Sequence, residues 1–337
     1  MWETIIGHYP NITMLQKMLS NGRLPHAMLF VGPSGIGKAL TAKALAASLL
    51  CGGTSPCGRC LSCQALEHQN HANLITVVPD GASIKIDQIR AIQHEIAMRS
   101  SSGKARVCII EDAGKMTKEA GNSLLKMLEE PPEDFHFILI ASSIHAVLNT
   151  ILSRCLVMKF LPLVPGQLVE ALTKRGFAQE QAAVAARLSG GRLGQALNLL
   201  APEGLKLRDE ALRLAVTITE QAGVWFFSAI GALDKRENAE LGQLLGFLSG
   251  VFRDLTILRT AGNRDLVFNV DKAEQLQDLA LKWPDKMLIA AVRRIYSAER
   301  AIAANGNMRL TWEALLIELA DLAKEGENDA NCCRYTV

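Results

Sequence analysis

Apolar and polar positions follow two different rhythms along this chain. Residues 26–31 form a short apolar run that ends on Gly32-Pro33-Ser34-Gly35, the pattern of a buried strand feeding a glycine loop. A helix is expected next, because residues 38–50 are rich in Ala and Leu and contain neither Gly nor Pro. Three further apolar strands are predicted at 74–78, 107–110 and 135–141, with helical patterns between them. One of those helices begins near Asp87, with Asp87 as its cap and Ile89, Ile92 and Ile96 on one face. Strands alternating with helices predict a mostly parallel sheet with both faces covered.

The rhythm changes after Phe160. Pro162 and Pro165 mark a break, and helical patterns then continue almost to the end. Residues 167–200 read as a small helical unit punctuated by Ser189-Gly190-Gly191, and 205–325 as a longer bundle interrupted at Trp283-Pro284 and Asn305-Gly306-Asn307. The expected division is therefore an α/β domain over 1–162, a helical lid over 163–203, an all-α domain over 204–326 and a disordered tail over 327–337.

Length agrees with that division, since 337 residues exceed one ordinary core. Hydrophobic residues make up 49% of the chain, yet charged or polar positions break every apolar stretch well before the ~20 needed to cross a bilayer. The start, Met1-Trp2-Glu3-Thr4, has no basic segment and no apolar run of a secretory signal. A cytoplasmic chain without a membrane partner is expected. In that reducing compartment the eight cysteines point to metal binding or free thiols instead of disulfides. A net charge of +2 excludes a global basic field for autonomous nucleic-acid binding.

Gly32-Pro33-Ser34-Gly35-Ile36-Gly37-Lys38 fits the phosphate-loop pattern G-x-x-x-x-G-K between a strand and a helix. Glycines let successive amides turn toward phosphates, the helix start adds its positive end, and Lys38 supplies a mobile ammonium. ATP or ADP is the ligand this implies. The next position departs from the pattern: Ala39 stands where a Ser or Thr hydroxyl would bind magnesium. Thr41 is no substitute, since two residues turn the side chain by roughly 200° around the helix. Mg2+ would be poorly held. The strand at 107–110 ends in Glu111-Asp112, an inverted form of the acidic pair that steadies the metal and orients water in nucleotide hydrolases. Misplacement on the order of 1 Å can cost ~100-fold in rate, so hydrolysis on this chain's own side is not expected.

Cys51, Cys57, Cys60 and Cys63 form C-x5-C-x2-C-x2-C directly after the first long helix. Four thiolates satisfy a closed tetrahedral Zn2+ site of structural character, and an iron-sulfur cluster could use the same ligands. Gly52, Gly53, Pro56 and Gly58 supply the turns of such a wrap. Cys108 reads as core packing, and Cys332-Cys333 in the tail carry no reading.

Several stretches together resemble the bacterial clamp-loader subunits of the AAA+ family. The most telling is Asn122-Ser123-Leu124-Leu125-Lys126-Met127-Leu128-Glu129-Glu130-Pro131-Pro132, followed by Ile140-Ala141-Ser142-Ser143, similar to the first sensor, and by Ser153-Arg154-Cys155. Trp2-Glu3-Thr4-Ile5-Ile6-Gly7 is similar to the segment near the adenine, and Asn307-Met308-Arg309-Leu310 falls in the region of the oligomeric collar. The resemblance implies an AAA+ domain with a zinc-binding insertion at 51–63, then a helical lid and a helical collar. It favours zinc over an iron-sulfur cluster. It also implies that Arg154 reaches the nucleotide of a neighbouring subunit as an arginine finger. In Gly190-Gly191-Arg192-Leu193-Gly194-Gln195-Ala196-Leu197, Gly194 occupies the place of the second-sensor arginine of hydrolysing subunits.

Defects at Ala39, Glu111-Asp112 and Gly194 beside an intact Arg154 match the delta-prime type of DNA polymerase III loader subunit. That type implies gamma/tau and delta subunits as partners, with the sliding clamp and primed DNA met through the assembled loader. Two other readings are an ATP-hydrolysing gamma/tau-type motor, favoured by the glycine loop and Lys38, and a stand-alone DNA-binding module using the cysteine loop. Against the second, Arg59 is the only cation in that loop.

Overall fold

The computed structural model describes residues 1–68, 70–98, 105–220, 231, 236–304 and 306–332. They form two compact units: 1–177 with 189–196, and 178–188 with 197–337.

The first unit is built on five parallel strands, β1 (Ala27–Val31), β2 (Leu74–Val77), β3 (Arg106–Ile110), β4 (Phe135–Ala141) and β5 (Leu156–Lys159), in the order β2-β3-β4-β1-β5. The central strand β1 is buried at all five positions, which is why it reads as an unbroken apolar run. Alternate strand residues face opposite sides. Leu29, Cys108, Ile110, Phe137 and Leu139 pack in one core with Ile89, Ile92, Leu124 and Leu128, from α4 (Ile86–Met98) and α5 (Lys118–Glu129). Met28, Phe30, Val107, Ile109, Ile138 and Ile140 pack in another with Leu15 and Leu45, from α1 (Tyr9–Ser20) and α2 (Lys38–Cys51).

Two readings of the sequence change. A fifth strand exists beyond the four expected, β5, whose four residues follow Ser153-Arg154-Cys155 too closely to stand out as a separate run. Asp87 is not the cap of α4, because the helix already begins at Ile86. Gln88 Oε1 instead accepts the Lys85 amide at 3.0 Å, and Asp87 contributes a favourable charge in the first turn.

Shorter helices complete the chain: α3 (Leu61–Glu67), α6 (Asn149–Leu152), α7 (Pro165–Thr173), α8 (Gln179–Leu188) and α9 (Leu193–Leu200). The second unit continues with α10 (Lys206–Glu220), α11 (Asn238–Thr260), α12 (Ala273–Leu281), α13 (Asp285–Ala303) and α14 (Met308–Cys332). Leu244, Leu248, Phe252, Leu255, Trp283, Ile295, Trp312 and Leu316 form its core. Among the described helices α11 alone is long and apolar enough to cross a membrane; Leu244, Leu248 and Phe252 bury its apolar side within that core. Residues 327–332 of the expected tail belong to α14. Cys333 and the other last residues, 333–337, lie outside the described residues.

Candidate functional site

Parallel strands deliver the residues that follow them to one edge of the sheet. Val31 pairs with Ala141 and Ile110 with Leu139. The glycine loop after β1, Glu111-Asp112 after β3 and Ser142-Ser143 after β4 are therefore gathered at that edge.

The chain itself holds the glycine loop in shape. The Gly35 carbonyl accepts the Gly194 amide at 2.8 Å, and the Ile36 carbonyl accepts His8 Nε2 at 2.7 Å. Thr41 donates both its amide and its hydroxyl to the Gly37 carbonyl, each at 3.0 Å. Each peptide here is trans, so a carbonyl fixed one way aims the following amide the other way. The Lys38 amide, opposite the Gly37 carbonyl, thus opens the start of α2, a place suited to an anion. Gly37 has φ of +108°, which is why a glycine belongs there.

Lys38 does not extend outward. Its ammonium is buried, donating to the carbonyls of Gly32 at 2.5 Å and Pro33 at 2.7 Å. Burial lowers its pKa below the usual lysine value, with the charge of Asp112 opposing that shift. To meet a phosphate, Lys38 must give up both carbonyls. Ala39 packs against the apolar core and offers no oxygen. Thr41, fully buried, spends its hydroxyl on the helix backbone.

The other residues of this edge are also engaged locally. Asp112 pairs with Lys115 at 3.0 Å from a left-handed backbone position, and the Glu111 amide extends the sheet to Val77 O. Ser143 Oγ accepts the His145 amide at 3.3 Å, and Ser142 is exposed. Gly194 touches the loop directly: a Cβ there would lie 3.1 Å from Gly35 O and 3.2 Å from Gly35 Cα. Arg192 is turned to its own backbone, with Nε donating to Ser189 O at 2.8 Å.

Arg154 lies at the opposite end of the sheet. Leu156 pairs with Met28 and Lys159 with Val31, so at about 3.3 Å per residue the arginine sits roughly 20 Å along the strands from its own glycine loop. Its NH1 donates to Thr150 O at 2.9 Å and Ser153 Oγ at 3.1 Å, and its NH2 meets Glu129 Oε1 at 2.5 Å. About a third of the side chain remains exposed, 34%.

The cysteine loop is a separate site. The sulfurs of Cys51, Cys57, Cys60 and Cys63 all lie within 4.8 Å of one another, close to the spacing that four Zn–S bonds of about 2.3 Å produce around one tetrahedral ion. Backbone amides already point at the sulfurs, Cys57 N to Cys51 Sγ and Cys63 N to Cys60 Sγ, each at 3.4 Å. The amides of Arg59 and Cys60 draw the Cys57 thiol down to about 6, whereas burial pushes Cys63 up. A cation is what lets four such thiols ionise together. Cys108 is inert core, pushed up to about 12 by burial.

Three contributors were not anticipated. His8 steadies the glycine loop and packs edge-on against Phe160, with ring centroids 4.9 Å apart; a lone histidine carries no sequence signal for that. Trp2 donates its indole N–H to Ser48 Oγ at 3.1 Å and to Thr54 O of the cysteine loop at 3.2 Å. A buried tryptophan usually finds such a partner, but not a predictable one. Glu129 was visible only as part of a recognised stretch.

Comparison with known proteins agrees over both units. A family model described as DNA polymerase III, delta subunit, matches residues 7–164, and one described as DNA polymerase III, delta subunit, C terminal, matches residues 202–321. DNA polymerase III subunit delta-prime of Bacillus subtilis is 30% identical over 95% of this chain and 98% of its own length. DNA polymerase III subunit tau of Escherichia coli is 29% identical over 94% of this chain, which spans 42% of that longer protein. Among solved structures, a DNA polymerase III gamma subunit-related protein of Thermotoga maritima aligns with a TM-score of 0.47 and 18% identity, covering 93% of this chain and 99% of its own.

Proposed function

The chain belongs to the delta-prime family of DNA polymerase III clamp-loader subunits, and on that premise we propose that it scaffolds the loader and activates a neighbour without hydrolysing ATP itself. The observation that carries this is a division between the two ends of one sheet. At one end Lys38 is turned onto its own loop beside Ala39. At the other, Arg154 stands partly exposed on a surface its own nucleotide site cannot use. In the assembled loader Arg154 neutralises charge on the phosphate being transferred in an adjacent gamma/tau subunit. The helical second unit serves as the collar that joins gamma/tau and delta. The sliding clamp and primed DNA are met through the assembly, in the cytoplasm.

The purified chain is expected to turn over ATP at least ~100-fold more slowly than a hydrolysing loader subunit, because neither a metal-binding hydroxyl nor a correctly ordered acidic pair is present. A steady-state phosphate-release assay measures this, and robust Mg2+-dependent turnover by the single chain would defeat it. The second reading, a gamma/tau-type motor, draws on the intact glycine loop and Lys38; it requires nucleotide affinity that rises strongly with Mg2+. Calorimetry with and without the metal separates the two.

Zinc is the ion proposed for Cys51, Cys57, Cys60 and Cys63, with a purely structural role since all four positions are filled by protein. Trp2 offers a direct readout, because its indole bonds to Thr54 inside the cysteine loop. Chelation is expected to loosen that loop and shift Trp2 emission to the red, with Trp2→Phe abolishing the shift. An emission spectrum unchanged by complete metal removal would contradict a fastening role for the ion.

A further inference from the structure

An arginine offered across a subunit boundary works best when it is already aimed, and we infer that Glu129 is the residue that aims Arg154. This rests on the role proposed for Arg154. The guanidinium is held from two sides: Thr150 O and Ser153 Oγ take NH1 at 2.9 and 3.1 Å, and Glu129 Oε1 takes NH2 at 2.5 Å. The first two partners come from α6 and its end, the third from the last residue of α5.

These two elements are locked to each other. Leu124 and Leu128 of α5 share a core with Val147 and Ile151. The helix approaches so closely that a Cβ on Gly121 would lie 2.6 Å from Leu148 Cδ1. Glu129 and Arg154 therefore ride on one rigid platform, and the direction of the guanidinium follows from it.

The placement of Glu129 makes little sense for stability alone. A carboxylate on the last residue of a helix faces the negative end of the helix dipole. Half-exposed ion pairs of this kind, 34% and 49% exposed, contribute little to folding. Orientation is the effect that remains, because a long flexible arginine otherwise samples many rotamers before it can act. Glu129 is thus a positioning residue that acts through Arg154.

The test uses the complete loader, reconstituted with its ATP-hydrolysing and delta subunits, after gel filtration has shown assembly. Glu129→Ala is expected to lower DNA-stimulated kcat by roughly 10- to 100-fold, the scale of a misaligned catalytic group, with KM for ATP nearly unchanged. Glu129→Gln, which keeps one acceptor oxygen and the side-chain shape, should recover part of that loss. Glu129→Ala combined with Arg154→Ala should be no slower than Arg154→Ala alone. The inference is overturned if Glu129→Ala matches the parent while Arg154→Ala is slow, if Glu129→Ala is faster than the parent, or if the two losses multiply. If Arg154→Ala itself has no effect, the proposed function fails and Glu129 has nothing to aim.

Discussion

Arg154→Ala should leave the assembled loader intact and lower ATP turnover at the neighbouring site by on the order of 10³, the lower range for removal of an arginine finger. The effect is large because the transferred phosphate gathers negative charge in a site shielded from water, where one guanidinium acts in a low dielectric. The change should fall on DNA-stimulated kcat. The isolated chain is expected to look unaltered, since Arg154 sits at the far end of β5 from its own glycine loop. Arg154→Lys should rescue poorly. A lysine carries the charge but lacks the planar fork that can hold Glu129 and face a phosphate at the same time. Parental turnover by an assembled Arg154→Ala loader would remove the central element of the proposed function.

What the residues alone disclosed follows the physics of each signal. The glycine loop, β1 and α2 were readable because burial on both faces of a parallel sheet leaves an unbroken apolar run, and the loop chemistry tolerates few substitutions. The cysteine cluster was readable for a similar reason: thiol spacing in a short loop nearly dictates that the sulfurs converge, and they do, within 4.8 Å. By contrast, β5 is four residues long and takes its identity from pairing with Met28 through Val31, a partner more than a hundred positions away. No local period reveals such a strand.

Contacts of that tertiary kind also decide the state of the site. That Ala39 lacks a hydroxyl is visible in the sequence, but that Lys38 is turned onto Gly32 and Pro33 is not. The departure at Gly194 reads as a missing arginine; in the fold it is equally a close approach, since its amide bonds to Gly35 and leaves a side chain little space. Restoring an arginine at 194 would therefore press on the glycine loop before it could reach any nucleotide. The absent side chain at 194 and the contact with the glycine loop are two descriptions of one backbone.

The helical unit has its own hidden dependence, and Asp254→Ala should destabilise it by about 4 kcal/mol, from two buried donors and one partly buried donor left without an acceptor. Asp254 is fully buried on α11, between Val251 and Leu258 on the core face. Its carboxylate accepts the amides of Phe268 at 2.9 Å and Asn269 at 2.9 Å, together with Asn269 Nδ2 at 2.8 Å. Arg253 adds a contact at 3.1 Å while stacking over the Phe268 ring at 3.8 Å. One aspartate thus fastens the 263–272 connection onto α11, in a unit whose whole stability is expected to be about 5–15 kcal/mol. Asp254→Asn should recover only part of the loss, since the amide keeps one acceptor and turns a donor toward N–H groups that already donate. Urea unfolding in a Trp2→Phe background measures this through Trp283, which packs edge-on against Phe252 at 5.5 Å. A change under about 1 kcal/mol, the size of an ordinary surface substitution, would mean that the loop finds water or another partner instead, and that the helical unit does not hang on this side chain.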